Sequence, residues 1–297
     1  MRLDAITFDT VERYIAAKLA AAPPLSARSI NMTSTLLGAI LESAVERELI
    51  ARNPAKGKGR RVRERTPRRS YLETAAQIRA LLDAAGELDR AAQPACQHVE
   101  RRAMLATLTF AGLRIGELCA LRWRDVDLAA GWLHVGESKT DAGRRRVKLR
   151  GALRDELLTV RARHPQAPTD GFVFPTLTGG RQSTDNLRSR VLNVAVKRAN
   201  ENLAKQELSP LPDGITPHSL RRTFASVLYA LGEDPGIVVD EMGHTHPALA
   251  LRIYRQSMRR GEDEKAQLRA LIEGHELAVF GRRAAEKPSH ATEREAA

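Results

Sequence analysis

A run of fourteen mostly basic residues divides the chain into a short N-terminal part and a longer C-terminal part. The run extends from Lys56 to Arg69 and holds eight Lys or Arg residues and one Glu, so it carries seven of the twelve net positive charges. Its glycines, its proline and the repulsion between its charges disfavour a helix or a strand. We therefore expect an extended interdomain linker over residues 56–71. A merely solvated linker is the alternative, but so dense a charge favours contact with a polyanion. The linker residues predicted to contact phosphates are Lys56, Lys58, Arg60, Arg61, Arg63 and Arg65.

The composition predicts a folded protein without a membrane span. Of the 297 residues, 42% are hydrophobic and 28% are charged, which is enough apolar surface for one or two cores. No run approaches the roughly 18 apolar residues that a spanning helix needs, and the N-terminus lacks the apolar stretch of a signal peptide. We therefore expect a cytoplasmic protein. Cys96 and Cys119 are too few for a disulfide framework and are both expected to be buried.

The part before the linker predicts two helices. The first lies around Thr10 to Ala22 and stops at Pro23, and the second is capped by Ser26 and closed by Asn53. The second helix has an apolar stripe at helical spacing, formed by Ile30, Thr33, Leu36, Leu37, Ile40, Leu41, Ala44 and Val45. Two helices in residues 1–55 make a thin domain.

The part after the linker predicts a mainly α fold with a small antiparallel β-sheet, of the α+β class. Trp132–Val135 and Arg146–Leu149 flank a loop and predict a β-hairpin, and a further short strand is predicted at Phe172–Phe174. Helices are predicted from Thr184 to about Lys205 and again from Pro217. The polar, Ala-rich segment 282–297 is expected to be a disordered tail.

The first of four chemically suggestive segments is Ala111–Leu118. Gly112 can end one helix, and the chain can start another a turn later, which leaves Arg114 at the break. Glu117 follows three residues on, early in the new helix, where the helix dipole favours a carboxylate that can brace the guanidinium. A surface salt bridge is the alternative interpretation.

The second segment is Thr216–Tyr229, in which Pro217 suits the first turn of a helix. The buried stripe of this helix is predicted to be Leu220, Phe224, Val227 and Leu231. His218 and Arg221 then share one exposed face, where two basic side chains near a helix N-terminus favour a bound anion. Arg222 is predicted to point about 100° away, toward solvent or phosphates.

The third and fourth segments contain His244 and Tyr254. Gly243 can supply the left-handed stop of a short helix after Pro235, and His244 follows it. His244 and His246 alternate as metal ligands can, but no third ligand has fitting spacing, so no metal site is predicted. Tyr254 comes ten residues after His244, on a helix that Pro247 can begin. A lone tyrosine is more often a core residue than a catalyst.

In this order the four segments resemble the catalytic domain of the tyrosine recombinases, the phage integrase family. That family has an Arg in Gly-Leu-Arg-x-x-Glu-Leu, then His-x-Leu-Arg, then Gly-His and a nucleophilic Tyr, and it uses a β-hairpin lysine that Lys139 matches. The resemblance covers roughly residues 72–280. The catalytic residues that it implies are Arg114, Lys139, His218, Arg221, His244 and Tyr254, with Glu117 as a supporting acid.

The resemblance also implies a domain organisation and a reaction. Residues 72–281 would form the catalytic domain, and residues 1–55 a partial helical, SAM-like core-binding domain that lacks the usual first helices. The reaction would be site-specific recombination of duplex DNA through a covalent 3′-phosphotyrosine, without metal, ATP or another cofactor. The DNA would carry attachment sites with inverted repeats, in a bacterial or phage nucleoid.

The resemblance further implies a homotetramer on DNA, and we expect a monomer in solution. In the family, protomers exchange a C-terminal helix, and Asp263–Ile272 offers a small apolar stripe of Leu268, Leu271 and Ile272. We expect this stripe to dock on a neighbouring protomer, and packing on its own subunit is the alternative.

Three rival functions remain. A type IB topoisomerase would share the catalytic residues but needs longer surrounding domains. A catalytically incompetent or truncated integrase relic would act only as a DNA-binding protein. A basic RNA-binding or membrane-binding helical protein would need neither Tyr254 nor the paired arginines, and aromatic residues make up only 4% of the chain, which gives little surface for stacking on single strands.

Overall fold

The chain is mostly helical with one small antiparallel sheet, so the predicted fold class is confirmed. The structure is a computed structural model that describes residues 2–57, 61–64, 70–93, 96, 98–136, 145–243, 257 and 260–274. It divides into two compact units, Met1–Arg68 and Arg69–Ala297. The domain boundaries expected from the sequence, at residues 55, 71 and 281, stay predictions.

The first unit contains helices α1 (Phe8–Ala20) and α2 (Ala27–Glu46). The Ser26 side chain accepts a hydrogen bond from the backbone N of Ser29 at 3.1 Å, so the predicted cap of α2 is confirmed. Thr7 caps α1 in the same way, which starts this helix earlier than the sequence indicated. Both starts follow the rule that a hydroxyl satisfies one of the free N–H groups of the first turn.

The apolar stripe of α2 is buried only in part. Ile30 and Leu41 are buried, but Leu36 and Ile40 are exposed. The reason is geometric: α2 packs against α1, and one neighbouring helix covers only one side of the stripe. On the covered side, the Asn31 side chain exchanges hydrogen bonds with the backbone of Val62 in the basic run, at 2.9 and 2.8 Å.

The second unit surrounds one hydrophobic core with nine described helices and a sheet. The helices are α3 (Ala75–Arg90), α4 (Arg101–Phe110), α5 (Ile115–Ala120), α6 (Gly151–Arg163), α7 (Thr184–Asn186), α8 (Asn193–Lys205), α9 (Pro217–Ala230), α10 (Pro235–Met242) and α11 (Glu262–Glu273). The strands, in sheet order, are β1 (Val126–Asp127), β2 (Trp132–Val135) and β3 (Arg145–Lys148). Leu133 pairs with both Val126 and Val147, which directs all three side chains into the core.

Among the described residues, the sheet differs from the prediction at three places. The hairpin of β2 and β3 is confirmed, with β3 beginning one residue earlier than predicted, and β1 was not foreseen. The strand predicted at Phe172–Phe174 is wrong, because Phe172 makes only an isolated bridge with Arg122. Val173 and Phe174 are buried, so their apolar pattern reflects burial rather than strand pairing. The hairpin loop 137–144 and the tail 282–297 lie outside the described residues.

The segment from Thr184 to Lys205 is continuous, but it is not a uniform α-helix. A π-helical stretch, Leu187–Leu192, separates α7 from α8. Hydrophobic periodicity over this segment could not foresee the stretch, because one extra residue per turn still leaves Leu187, Val191 and Leu192 on the buried side.

Helix α11 packs on its own chain. Its Leu268, Leu271 and Ile272 are buried in the core of the second unit, and Glu264 accepts a hydrogen bond from the backbone N of Ala75 at 2.7 Å. At its C-terminal end the fit is tight, since a side chain at Gly151 would place Cβ 2.2 Å from the Glu273 carbonyl oxygen. The single chain therefore follows the alternative, in which the stripe packs on its own subunit, and no neighbouring protomer is needed to cover it.

Two smaller expectations concern cysteine burial and the membrane. Cys119 is buried as expected, but Cys96 is exposed, because it lies in the connection between α3 and α4 rather than in the core. No helix in the described part of the chain is long and apolar enough to span a membrane.

Candidate active site

Gly112 determines where Arg114 lies. The glycine has a φ of +59°, and a Cβ at this position would come within 2.3 Å of the Phe224 ring on α9. Only glycine allows both the left-handed backbone and this close approach. The chain therefore turns sharply after α4, and Arg114 becomes the residue that precedes α5.

Glu117 holds Arg114 at this turn. Its carboxylate accepts a hydrogen bond from the Arg114 backbone N at 2.8 Å and another from Arg114 Nη1 at 2.7 Å. This is the i, i+3 contact that the spacing of the two residues predicts. The Arg114 side chain remains 45% exposed, whereas that of Glu117 is 8% exposed. Arg114 can therefore contact a ligand at the surface, while Glu117 fixes its backbone and one of its terminal nitrogens.

Arg221 is not on an exposed face, which corrects the sequence prediction. Its side chain is buried, and its two terminal nitrogens donate to the backbone carbonyls of Gly112 and Met242. Arg222 is also buried rather than turned toward solvent or phosphates. Helix α9 packs against both α4 and α10, so nearly all of its faces are covered. A prediction from one apolar stripe therefore gives too few buried residues for this helix.

His218 lies one turn before Arg221, in the first turn of α9, and is exposed as predicted. Pro217 occupies the first helical position, and the side chains of Thr216 and Ser219 cap the helix reciprocally. The exposed histidine thus stands at a helix N-terminus, where backbone N–H groups favour anions.

Arg145 is a third arginine of this region, and the sequence reasoning missed it. It is the first residue of β3, and its side chain is 4% exposed. Its Nη1 and Nη2 donate to the two carboxylate oxygens of Glu117 at 3.1 and 2.8 Å. Nothing local marks this residue among its basic neighbours Arg144 and Arg146, since its role depends on the approach of β3 to α5.

The C-terminus of α10 gives all three arginines a common support. Three successive carbonyls, those of Glu241, Met242 and Gly243, accept hydrogen bonds from Arg145 Nε at 2.7 Å, from Arg221 and from Arg114 Nη2 at 3.0 Å, in that order. Carbonyls at a helix C-terminus lack partners within the helix and carry partial negative charge, so they attract cations. Gly243 ends α10 in the left-handed conformation, as predicted.

We call Arg114, Arg145, Arg221 and Glu117 the arginine cluster. The cluster carries two more positive than negative charges. Glu241 does not change this balance, because its carboxylate bonds to Arg150 at 3.0 Å. Burial, and then the charges of Arg145 and Arg114, lower the pKa of Arg221 to about 9. The cluster is therefore electrostatically incomplete and favours an anion.

Glu117 stays ionised in this setting. Burial alone would raise its pKa, but the hydrogen bonds and charge of Arg145, together with those of Arg114, outweigh burial and lower the pKa to about 2. Because the folded-state pKa is depressed, the stabilisation that Glu117 contributes is present at neutral pH and is lost only as the pH falls toward that value.

Several residues singled out in the sequence lie outside the described residues. These are Lys139, His244 and Tyr254, together with Lys58, Arg60 and Arg65 of the linker. In the linker, Lys56 pairs with Glu42 at 2.5 Å, Arg61 lies 3.6 Å from Glu64, and Arg63 is exposed. Within the described ranges, no three or more His, Cys, Asp or Glu residues form a group that could hold a metal ion.

Comparisons with known proteins agree on one family. The family model described as the phage integrase family matches residues 73–260. A tyrosine recombinase XerC of Xanthomonas axonopodis pv. citri is 31% identical over 144 residues, which is 48% of this chain and 43% of that protein. The prophage integrase IntR of Escherichia coli K12 is 32% identical over 177 residues, 49% of this chain and 40% of that protein. The chain thus spans about two fifths of the length of these curated relatives.

The fold is similar to that of a solved integrase. The structure of the Tn1549 transposon integrase in complex with transposon right end DNA matches with a TM-score of 0.69 at 20% identity, over 96% of this chain and 87% of that one. At this identity the likeness concerns the fold, and it extends over both units of the chain.

Proposed function

Because the chain belongs to the phage integrase family, we propose that it is a site-specific recombinase that cuts and rejoins duplex DNA through a covalent 3′-phosphotyrosine at Tyr254. The reaction uses neither metal nor ATP. The observation that carries this proposal is the arginine cluster, in which the C-terminal carbonyls of α10 hold two buried guanidinium groups and one half-exposed guanidinium group near the single carboxylate of Glu117.

A phosphodiester is the anion that this cluster suits. Attack on the phosphorus places additional negative charge on two non-bridging oxygens, and Arg114 and Arg221 can each offer a planar fork of donors. Carbonyls and Glu117 already fix the arginines, so little reorganisation is needed when the charge develops. An anion would also offset the unfavourable interaction that lowers the pKa of Arg221 to about 9, which follows from burial and from its cationic neighbours.

The proposed chemistry conserves the phosphoester bond energy. The Tyr254 oxygen attacks the phosphorus, a tyrosyl 3′-phosphate forms, and the bond to the 5′-oxygen breaks. His218 accepts the phenol proton, since a phenol with a pKa near 10 is weakly nucleophilic at neutral pH. Lys139 gives a proton to the leaving 5′-oxygen, and Arg114, Arg221 and His244 stabilise the phosphate. The reverse steps rejoin the strand.

An adduct assay tests this function. The full chain is incubated with a nicked duplex that carries a candidate attachment site, chosen from inverted repeats in the DNA beside the coding sequence. Loss of the short fragment next to the nick prevents rejoining, so we expect an SDS-resistant and protease-sensitive protein–DNA adduct. Binding to such duplexes without any adduct would contradict the proposal and favour the DNA-binding relic.

The basic run is proposed to contact phosphates regardless of sequence. Changing Lys56, Lys58, Arg60, Arg61, Arg63 and Arg65 to Gln should weaken binding to attachment-site and random duplexes alike. The slope of log K against log salt should fall by about one unit for each phosphate that the chain no longer neutralises. The ion pairs of Lys56 and Arg61 with Glu42 and Glu64 are exposed on their basic side, so their removal should cost little stability.

The matched control for the basic run exchanges Lys and Arg at the same six positions. This control keeps every charge, so its salt slope should equal that of the unaltered chain. A Gln-substituted chain with an unchanged slope would mean that the run is solvated on DNA.

We propose that the chain is a monomer in solution and forms a tetramer on DNA. Because α11 is used in the fold, the segment that can reach a neighbouring protomer begins after Gly274. Deleting residues 275–297 should leave folding and half-site binding intact and abolish recombination, measured by formation of joined product from two sites.

A longer deletion serves as the contrast to this truncation. Removing residues 263–297 also removes Leu268, Leu271 and Ile272 from the core, a loss of about 5 kcal/mol that rivals the stability of a domain. That chain should lose cooperative thermal unfolding. Recombination at full rate by the shorter deletion would contradict assembly through the C-terminal segment.

A further inference from the structure

We propose that Arg145 is a positioning residue of the active site, which holds Glu117 and through it Arg114, and does not itself touch the DNA. This inference rests on the proposed function. The family pattern behind the catalytic residues gives Arg145 no role, and its place in the cluster follows from the contacts of β3, α5 and α10.

The contacts of Arg145 fit a support rather than a ligand-binding group. Burial does not distinguish it from Arg221, which is also buried, but within the arginine cluster Arg145 alone has both terminal nitrogens on a carboxylate. Its fork donates to both oxygens of Glu117, and its Nε donates to the Glu241 carbonyl, so all three nitrogens of the guanidinium are engaged. A buried guanidinium in such an arrangement fixes its partners in both distance and plane.

Each carboxylate oxygen of Glu117 accepts hydrogen bonds from both arginines. Oε1 accepts from Arg114 Nη1 at 2.7 Å and Arg145 Nη1 at 3.1 Å, and Oε2 accepts from the Arg114 backbone N and Arg145 Nη2, both at 2.8 Å. Without Arg145, a buried carboxylate would keep Arg114 as its cation. The carboxylate would then either take up a proton, which weakens its hold on Arg114, or draw Arg114 inward. In both cases Arg114 would no longer be positioned for a phosphate.

The place of Arg145 in the chain extends this role. It directly follows segment 137–144, which contains Lys139, and it bonds to the carbonyl of Glu241, three residues before His244. One side chain thus connects the ends of two segments that carry proposed catalytic residues to the turn that carries Arg114. Lysine would keep the charge but cannot make the fork, so it should replace Arg145 only in part.

The first arm of the test measures single-turnover cleavage of the nicked duplex and half-site binding. Arg145→Gln should slow cleavage about ten- to a hundredfold, the range for a small displacement of a catalytic group, while the half-site Kd stays within about threefold. Arg145→Lys should recover part of the rate. The control, Arg146→Gln, removes a charge at the next position, where the exposed side chain stacks 4.5 Å from the Trp132 ring, and should stay within about twofold.

The second arm separates positioning from general support of the fold. Glu117→Gln should slow cleavage, and Arg145→Gln added to it should slow cleavage little further, because both changes break the same link. Losses that multiply in the double variant, or Arg145→Gln at the unaltered rate, would overturn the inference. Thermal unfolding of each variant shows whether any loss comes from misfolding.

The third arm is a pH profile of cleavage. In the unaltered chain Glu117 has a pKa of about 2, so it contributes no change between pH 5 and 8. Arg145→Gln removes the largest lowering influence, so the pKa should rise and a new loss of rate should appear toward acid pH. Arg114 and Arg221 face Glu117 in every variant, and Arg124, Asp125 and His134 line the cavity of about 250 Å³ beside it. Removing the charge of Arg145 can only raise the pKa of Arg221 from about 9, so Arg221 adds no new loss of rate toward acid pH.

A fourth arm does not depend on activity, which keeps the inference apart from the proposed function. If the unaltered chain forms no adduct, the function fails, and ¹³C NMR titration of the Glu117 carboxyl still tests Arg145. The Glu117 signal is assigned by its disappearance in Glu117→Gln. A higher pKa in Arg145→Gln supports the link between the two residues, and an unchanged pKa overturns it.

Discussion

Changing Tyr254 to Phe should abolish strand cleavage and leave duplex binding within a few-fold of the unaltered chain. The change removes one oxygen, which is the proposed nucleophile, and alters no charge, so the electrostatic contribution to binding is kept. Cleavage is measured as adduct formation on the nicked duplex, and binding as the half-site Kd under the same salt conditions.

The other tyrosines of the second unit provide controls for this change. Tyr71 and Tyr229 are both buried in the fold, and their change to Phe likewise removes a single hydroxyl. Each control variant should still form the adduct. Cleavage at a near-normal rate by Tyr254→Phe would end the assignment of the nucleophile, and loss of cleavage in all three variants would indicate damage to the fold.

Changing Arg114 to Ala should lower the cleavage rate by at least about a hundredfold, the scale for losing one preorganised donor to a developing oxyanion. Folding should be preserved, because Arg114 is half-exposed and Glu117 keeps its two hydrogen bonds to Arg145. The control is Arg154→Ala, which removes an exposed arginine of α6 outside the cluster and should leave the rate unchanged.

Arg221 needs a milder change than Arg114. Arg221→Ala should also cost at least about a hundredfold in rate, but it leaves the buried carbonyls of Gly112 and Met242 without these donors, at about 1–3 kcal/mol each. Arg221→Lys keeps the charge and loses the fork, so it should slow cleavage with a smaller loss of stability. If Arg114→Ala and Arg221→Lys combined in one folded chain still cleave well, the two arginines do not form a clamp on the phosphate.

Local sequence rules predicted the parts of the site that depend on neighbouring residues. Gly112 as a helix break, Glu117 as a brace three residues from Arg114, and Gly243 as a left-handed helix stop all follow from backbone conformation and helical spacing. Ser26 as the cap of α2 is of the same kind. Each of these features depends on residues within about five positions of one another, so few other local structures fit the same pattern.

The features of the site and fold that the sequence did not predict depend on packing between distant elements. The role of Arg145 depends on the contacts of β3 with α5 and α10, and the burial of Arg221 depends on the packing of α4 and α10 against α9. The apolar stripe of α11 has the pattern of an interface between protomers, but it packs in the core of its own chain. Amphipathic spacing shows that a face will be covered, and it does not show which chain covers it.

The identity of the atom joined to DNA tests the central claim most directly. The adduct formed on the nicked duplex is digested with protease and nuclease, and tandem mass spectrometry locates the nucleotide on the peptide. The account predicts a 3′-phosphate on the oxygen of Tyr254 and a free 5′-hydroxyl on the released strand. A nucleotide on any other residue, or a linkage through a 5′-phosphate, would contradict it.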